Sequence, residues 1–151
     1  MVNRLMREQL IPAPLEEVWT YFSTPQNLNE LTPPDMNFEI TYGAETGMYE
    51  GQLIEYRVEF IRGLRTRWLT EIAHVEPLAF FVDEQRIGPY QFWYHEHSFI
   101  EGEGGVSMLD QVTYALPFGV IGNIVHNAWV SRRLKYIFDY RFQKIEQIFG
   151  S

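Results

Sequence analysis

The chain has 151 residues, of which 46% are hydrophobic and 16% aromatic, enough to bury the core of one domain without staples. A formal net charge of −8 argues against nucleic acid or an anionic membrane as the main partner, since both are held by clustered Lys and Arg. The absence of cysteine excludes disulfides, thiolate metal sites and cysteine nucleophiles. The opening MVNRLMREQL is too short and too charged for a signal peptide, and no apolar run approaches the ~20 residues of a membrane span. A cytoplasmic protein is expected.

Residues 3 to 11 form a weak strand signal, with Leu5, Gln9 and Ile11 against Arg4, Glu8 and Leu10, ended by Pro12. Pro14 opens a short helix over Leu15 to Phe22, because proline suits a first helical turn, and Val18, Trp19 and Phe22 give it an apolar face. Thr24-Pro25 breaks it before a second short helix, Gln26 to Leu31, and Thr32-Pro33-Pro34-Asp35 is a stiff connector.

Strand patterns follow. Phe38 to Ile40 is short, and a loop runs from Gly43 to Gly51. Leu53 to Ile61 alternates Ile54, Tyr56, Val58 and Phe60 with charged residues, the pattern of a half-buried antiparallel strand. Leu64 to Val75 aligns Thr66, Trp68, Thr70 and Ile72. Ala79 to Arg86, Tyr90 to Ile100 and Val106 to Leu116 complete the strands, separated by Pro77, Ile87-Gly88-Pro89 and Glu101 to Gly105. Gly102-Glu103-Gly104-Gly105 joins two strands rather than opening a helix, so it is no phosphate cradle.

From Gly119 to Phe149 one long helix is expected. Leu134, Ile137, Phe138, Phe142, Ile145, Ile148 and Phe149 recur at helical spacing, and Arg141 falls in the middle of that apolar face. Ile121, Ile124, Val125, Ala128 and Trp129 lie on a different side. Either the helix bends near Val130, or Asn123 and Asn127 face the interior.

Short turns between successive strands imply an antiparallel meander, because parallel neighbours need long crossovers. The fold class is therefore α+β: six to seven curved antiparallel strands, two short helices after the first strand, and a long C-terminal helix. Only that helix can cover the apolar face. A strongly curved sheet closed by one helix leaves a gap suited to a ligand.

The stretch Ile11 to Trp19 resembles the first strand and helix of the helix-grip superfamily often called SRPBCC, which includes START-related, pollen-allergen-like, polyketide cyclase and coenzyme Q-binding proteins. Phe81-Val82-Asp83-Glu84-Gln85, Gly88-Pro89-Tyr90, Trp93 to Phe99, Asp110 to Gly119 and Ile137 to Arg141 are similar to a bacterial branch of it, sometimes labelled cell-division-inhibitor-like. That label is not carried over here. The resemblance implies the helix-grip fold over nearly the whole chain. It implies little about activity, because one scaffold hosts binding, transfer and catalysis.

Three groups of residues are candidates for the site. His95 and His97, at i and i+2 of a strand, point the same way alongside Trp93 and Phe99. With Asp110 or Asp83 as a third donor they could begin a metal site, but unligated cavity histidines are the reading taken, with neither metal nor cofactor expected. Asp110 and Arg141 occupy apolar registers, so each needs a partner. Arg141 bridges to Asp110 or Asp83, or else meets a ligand oxyanion through its planar fork. Tyr56, Trp68, Trp93, Tyr114 and Trp129 are core or cavity lining.

The expected ligand site thus comprises Tyr56, Trp68, Asp83, Trp93, His95, His97, Asp110, Tyr114, Asn127 and Arg141, with no residue assigned as catalytic. A small hydrophobic or amphipathic molecule is the expected partner. One alternative is a polyketide cyclase or dehydratase using a cavity histidine as base. Another is an interaction protein or homodimer meeting through Ile121, Ile124, Val125, Ala128 and Trp129.

Overall fold

A computed structural model describes residues 2–117 and 120–151, with side chains described outside 120–126. Strand β1 (Val2–Ile11) is followed by α1 (Leu15–Phe22), a short 3₁₀ turn leading into α2 (Leu28–Leu31), and a second 3₁₀ turn at Pro34–Met36. Strands β2 (Glu39–Tyr42), β3 (Leu53–Ile61), β4 (Leu64–Glu76), β5 (Phe80–Ile87), β6 (Phe92–Gly102) and β7 (Gly105–Ala115) come next, and then the helix α3 (Val120–Phe149). The sheet has seven strands in the order β1-β7-β6-β5-β4-β3-β2, every neighbouring pair antiparallel. The expected fold class is the one found.

The element order matches the sequence reading, with two differences. β6 begins at Phe92, so Tyr90 lies in the preceding turn. That turn is clamped by the Gln85 amide, whose Nε2 donates to the Tyr90 carbonyl at 2.7 Å while its Oε1 accepts from the Tyr90 N–H at 3.0 Å. The weak first strand turns out to be ten residues long and paired along its whole length with β7. Its inward positions, Asn3, Leu5, Arg7, Gln9 and Ile11, are mostly polar, which hid the period-2 signal from hydropathy.

Helix α3 presents Val130, Leu134, Phe138, Arg141 and Ile145 to the sheet, all buried, at three- and four-residue steps that keep one face inward. Ile148, expected on this face, is 37% exposed. Polar contacts fix the helix in place. Buried Gln9 donates to the Phe142 carbonyl at 3.0 Å, Arg133 Nε to the Phe60 carbonyl at 3.1 Å, and Arg7 pairs with Asp139 at 2.8 Å.

Two apolar clusters fill the space between helix and sheet. One gathers Trp68, Tyr90, Trp93, Tyr114, Leu134 and Phe138. The other gathers Ile11, Val18, Phe22, Phe81, Phe99 and Ile145. Ile121, Asn123, Ile124 and Val125 lie outside the described side chains, so the question of which face the start of α3 turns inward falls outside them too. Ala128 and Trp129 are exposed.

Gly105 opens β7 at φ +135°, and a Cβ there would stand 2.0 Å from the Ile11 carbonyl oxygen. Gly102, its partner across the hairpin, has nothing within 4 Å of the same position. Gly105→Ala is therefore expected to cost at least ~2 kcal/mol, by backbone strain and steric clash. Gly102→Ala is expected to stay within about 0.5 kcal/mol. Urea unfolding of both variants checks the contrast.

Candidate functional site

The site is built on the three central strands β5, β6 and β7. Trp93, His95, His97 and Phe99 are all buried on β6 while the residues between them are half-buried, so both histidines face inward. In the ladder Asp83 stands opposite His95, and Asp110 opposite His97. The hydrogen bonds run diagonally instead: His95 Nε2 to Asp110 Oδ1 at 2.8 Å, and His97 Nε2 to Asp83 Oδ2 at 2.6 Å. The remaining nitrogens face the directly opposed carboxylates, His95 Nδ1 at 3.6 Å from Asp83 and His97 Nδ1 at 3.3 Å from Asp110. Neither is aligned as a hydrogen bond. The imidazoles stack at 3.6 Å between centroids.

Arg141 descends onto this square from α3. Its Nη2 lies 3.5 Å from Asp110 Oδ1, near enough for charge pairing and too far for a good hydrogen bond. Its guanidinium carbon sits 5.3 Å from the centre of the Phe22 ring. The expected bridge thus runs to Asp110 rather than Asp83. Asp83 instead accepts from the Trp93 indole N–H at 3.2 Å.

Protonation follows from this geometry. Burial would raise Asp110, but Arg141 and the two histidines outweigh it and hold the carboxyl well below its ordinary range. Asp83 is likewise pulled down against burial by His95, His97 and Trp93. Burial pushes His95 down, reinforced by its neighbour His97. The same burial acts on His97, yet the carboxylates of Asp110 and Asp83 overcome it and hold its pKa above the ordinary value. Two stacked imidazoles cannot both charge cheaply, so one extra proton is favoured over two, on the ring with the shortest carboxylate contact. With that proton the cluster is neutral: Asp83 and Asp110 against Arg141 and His97.

The donor atoms of Asp83, His95 and His97 lie within 4.8 Å of one another, a set that by type could take a divalent cation. Each imidazole already has a carboxylate partner, and a guanidinium stands beside Asp110.

Beside the cluster lies a cavity of ≈ 170 Å³ between the sheet, α1, α2 and α3. It is comparable to the ~150 Å³ apolar cavities that take benzene and smaller than the ~300–1,000 Å³ typical of drug-sized ligands. Tyr56, Trp68, Asp83, Trp93, His95, His97 and Arg141, all expected at the site, do line it. Several fully buried polar atoms of residues that line it have no hydrogen-bond partner in the protein: Trp68 Nε1, Tyr90 Oη, His97 Nδ1, and Arg141 Nε and Nη2.

Three expected residues do not line it. Asp110 sits behind the histidines, under Arg141, with Arg7, Gln9 and Phe142. Tyr114 packs at 5.8 Å from the Tyr90 ring within the aromatic cluster. Asn127 is half-buried and accepts from Asn3 Nδ2 at 3.3 Å. Sequence reasoning missed Tyr90, Thr70 and Phe22 as cavity walls. The Gly88-Pro89 turn could have flagged Tyr90, and the inward register of Trp68 and Ile72 could have flagged Thr70. Phe22 was assigned to a helix face with no signal that the face bordered a void.

No protein-family model and no curated protein matches the chain. Among solved structures it is similar to Zhui aromatase/cyclase from a Streptomyces species, with TM-score 0.75 and 10% identity over 96% of this chain and 92% of that one. Protein CV1439 from Chromobacterium violaceum matches with TM-score 0.73 and 11% identity over 99% of both chains. Ara h 8.0201 matches with TM-score 0.66 and 14% identity over 97% of this chain and 99% of that one. The fold is the helix-grip fold. The cell-division-inhibitor-like label attached to the resembling branch has no support among these structures. No helix among the described residues is long and apolar enough to cross a membrane.

The shifted groups give stability a defined pH dependence. Because Asp83 and Asp110 are depressed, their contribution is present above the ordinary carboxylate value of about 4 and is lost as pH falls through the folded values. Because His97 is raised, its contribution is complete below about pH 6.5 and is lost as pH rises through its folded value. Urea unfolding across about pH 5 to 9 should therefore show an alkaline loss of stability that His97→Gln flattens. Asp110→Asn, which leaves buried cations facing a neutral amide, should cost roughly 3–5 kcal/mol at neutral pH.

Proposed function

We propose that this protein, as one helix-grip domain, binds a small amphipathic molecule in the cavity between the sheet and α3. The observation that carries this reading is the void itself, placed where two apolar clusters meet and walled on one side by a buried charged cluster. A core evolved only for stability would close such a space, since unfilled volume forfeits dispersion contacts. Apolar walls supply affinity through burial, and the few polar groups supply orientation. The likeness to Ara h 8.0201 and to an aromatase/cyclase supports a ligand-holding use of the fold. The volume favours one- or two-ring compounds over a long-chain lipid.

A second reading is enzymatic, of the cyclase or dehydratase kind. It is favoured by the position of both histidines on the cavity wall. In this reading neutral His95 donates Nε2–H to Asp110 at 2.8 Å, and its Nδ1 lone pair takes a proton from a carbon beside a carbonyl. Incubation with short poly-β-ketone thioester analogues tests it. Loss of water or ring closure, abolished by His95→Gln, supports the reading, and unchanged substrate rejects it.

For the binding reading, thermal-shift and native mass spectrometry assays should find compounds of one or two rings that raise the melting temperature and add their mass. Ile54, buried at 4% exposure on the cavity wall, offers a control. Ile54→Phe should fill the space and remove the shift while the protein stays folded. No bound mass and no shift across such a panel would overturn the reading.

A further inference from the structure

We propose that Asp83, His95 and His97 bind a divalent first-row transition-metal ion, with Asp110 orienting both imidazoles from behind. The proposal goes beyond the ligand-binding role and does not depend on it, since it rests on the cluster and not on the void.

The reasoning starts from which nitrogen faces which carboxylate. β6 lies between β5 and β7, so its histidines meet Asp83 on one side and Asp110 on the other. Asp83 Oδ2 is approached by His97 Nε2 at 2.6 Å and by His95 Nδ1 at 3.6 Å. Asp110 Oδ1 is approached by the two other nitrogens, His95 Nε2 at 2.8 Å and His97 Nδ1 at 3.3 Å. Each carboxylate thus meets one nitrogen from each ring. Metal centres sort their groups in the same way: the ligating imidazole donates its far N–H to a carboxylate, which fixes its tautomer and orientation.

The distances suit an ion after a small adjustment. Donors held at about 2.0–2.2 Å from an ion stand roughly 3.0–3.4 Å apart. The two contacts on Asp83 fall either side of that range, and the donor atoms of all three residues lie within 4.8 Å of one another. The shorter contact is a hydrogen bond, and exchanging its proton for an ion requires His97 to withdraw from Asp83 by under ~1 Å. Withdrawal carries the ring toward β7 and shortens the approach of His97 Nδ1 to Asp110. That nitrogen is buried and has no hydrogen-bond partner in the metal-free protein. Asp83 is the carboxylate with room to adjust, its side chain 17% exposed against 4% for Asp110.

Charge and donor type agree with a cation. With both imidazoles neutral, Asp83 and Asp110 against Arg141 leave the buried cluster one negative charge. A proton offsets it in the metal-free protein, and a divalent ion offsets it by displacing that proton. Arg141 pairs with Asp110, so it neutralises the outer carboxylate and leaves Asp83 to the ion. Two imidazole nitrogens and one carboxylate oxygen suit zinc, cobalt(II) or iron(II); magnesium and calcium prefer oxygen alone. Asp83, His95 and His97 line the cavity, while Asp110 lies behind them. The coordination positions that the protein leaves open are therefore on the cavity side, where water completes the shell.

The test uses the full chain, stripped of metal by a chelator and dialysed, with zinc and magnesium salts as probes in calorimetry. Zinc should bind one to one and raise the melting temperature as its concentration rises, while magnesium at the same concentrations gives no heat. Asp110→Asn should weaken zinc by about 10–100-fold, and Asp83→Asn and His95→Gln by more. His74→Gln, which alters an exposed histidine of β4, should bind zinc unchanged. Substitution in a buried cluster can unfold the chain, so the deciding reading is made on the unsubstituted protein. Long-range nitrogen–proton NMR should find opposite tautomers once zinc is added, His95 protonated at Nε2 and His97 at Nδ1. Zinc that leaves these ring nitrogens unshifted, or binds Asp83→Asn and His95→Gln undiminished, occupies a surface site and overturns the proposal. Absence of binding at millimolar zinc overturns it as well. Each of these results leaves the ligand-binding role standing.

Discussion

Five ionisable side chains meet on the inner face of this sheet, and the fold depends on their satisfying one another. An isolated buried carboxylate or guanidinium would cost several kcal/mol in desolvation. Here each carboxylate meets both imidazoles, and Asp110 also meets Arg141. Register makes this possible. Asp83, His95, His97 and Asp110 occupy inward positions on three adjacent strands, so a one-residue slip of any of them would turn its charge out to solvent. The same cluster draws α3 to the sheet through Arg141, two turns along the helix from Leu134.

The cluster also divides the interior. Aromatic residues around Trp68 and Trp93 pack on one side, and the Phe22, Phe81 and Phe99 group packs on the other. A polar junction cannot be collapsed as hydrocarbon can, because closing it would press charged side chains against apolar surface. The void at the junction is thus a consequence of what surrounds it. Its wall combines a hydrophobic majority with a few polar and charged residues, the composition that the proposed binding role calls for.

Much of this was legible in the sequence, and the exceptions have physical reasons. Strand boundaries followed proline and glycine, and Arg141 in the apolar face of the last helix marked the buried pairing, because a charge in that register requires a partner. His95 and His97 were legible through period-2 spacing. The diagonal hydrogen bonding was not, since it depends on the register between strands. Asp110, Tyr114 and Asn127 were expected at the cavity because they share its face of the sheet or helix. Facing inward and lining a void differ by where neighbouring side chains end. Tyr90 was read as strand and is a turn residue aimed inward by the Gln85 amide, a tertiary contact that local pattern does not encode. β1 was faint because a strand whose inner residues are polar carries no hydropathy alternation.

The most direct test of the cluster is the protonation state of its two imidazoles, read by long-range nitrogen–proton NMR of the ring nitrogens as pH is varied about 6.5. The geometry predicts two separated steps, His97 keeping its proton above the ordinary value and His95 accepting one only below it, with the separation reduced in Asp110→Asn. Two histidines titrating together at the ordinary value, unaffected by that substitution, would contradict the buried, mutually satisfied cluster on which the cavity and its proposed ligand rest.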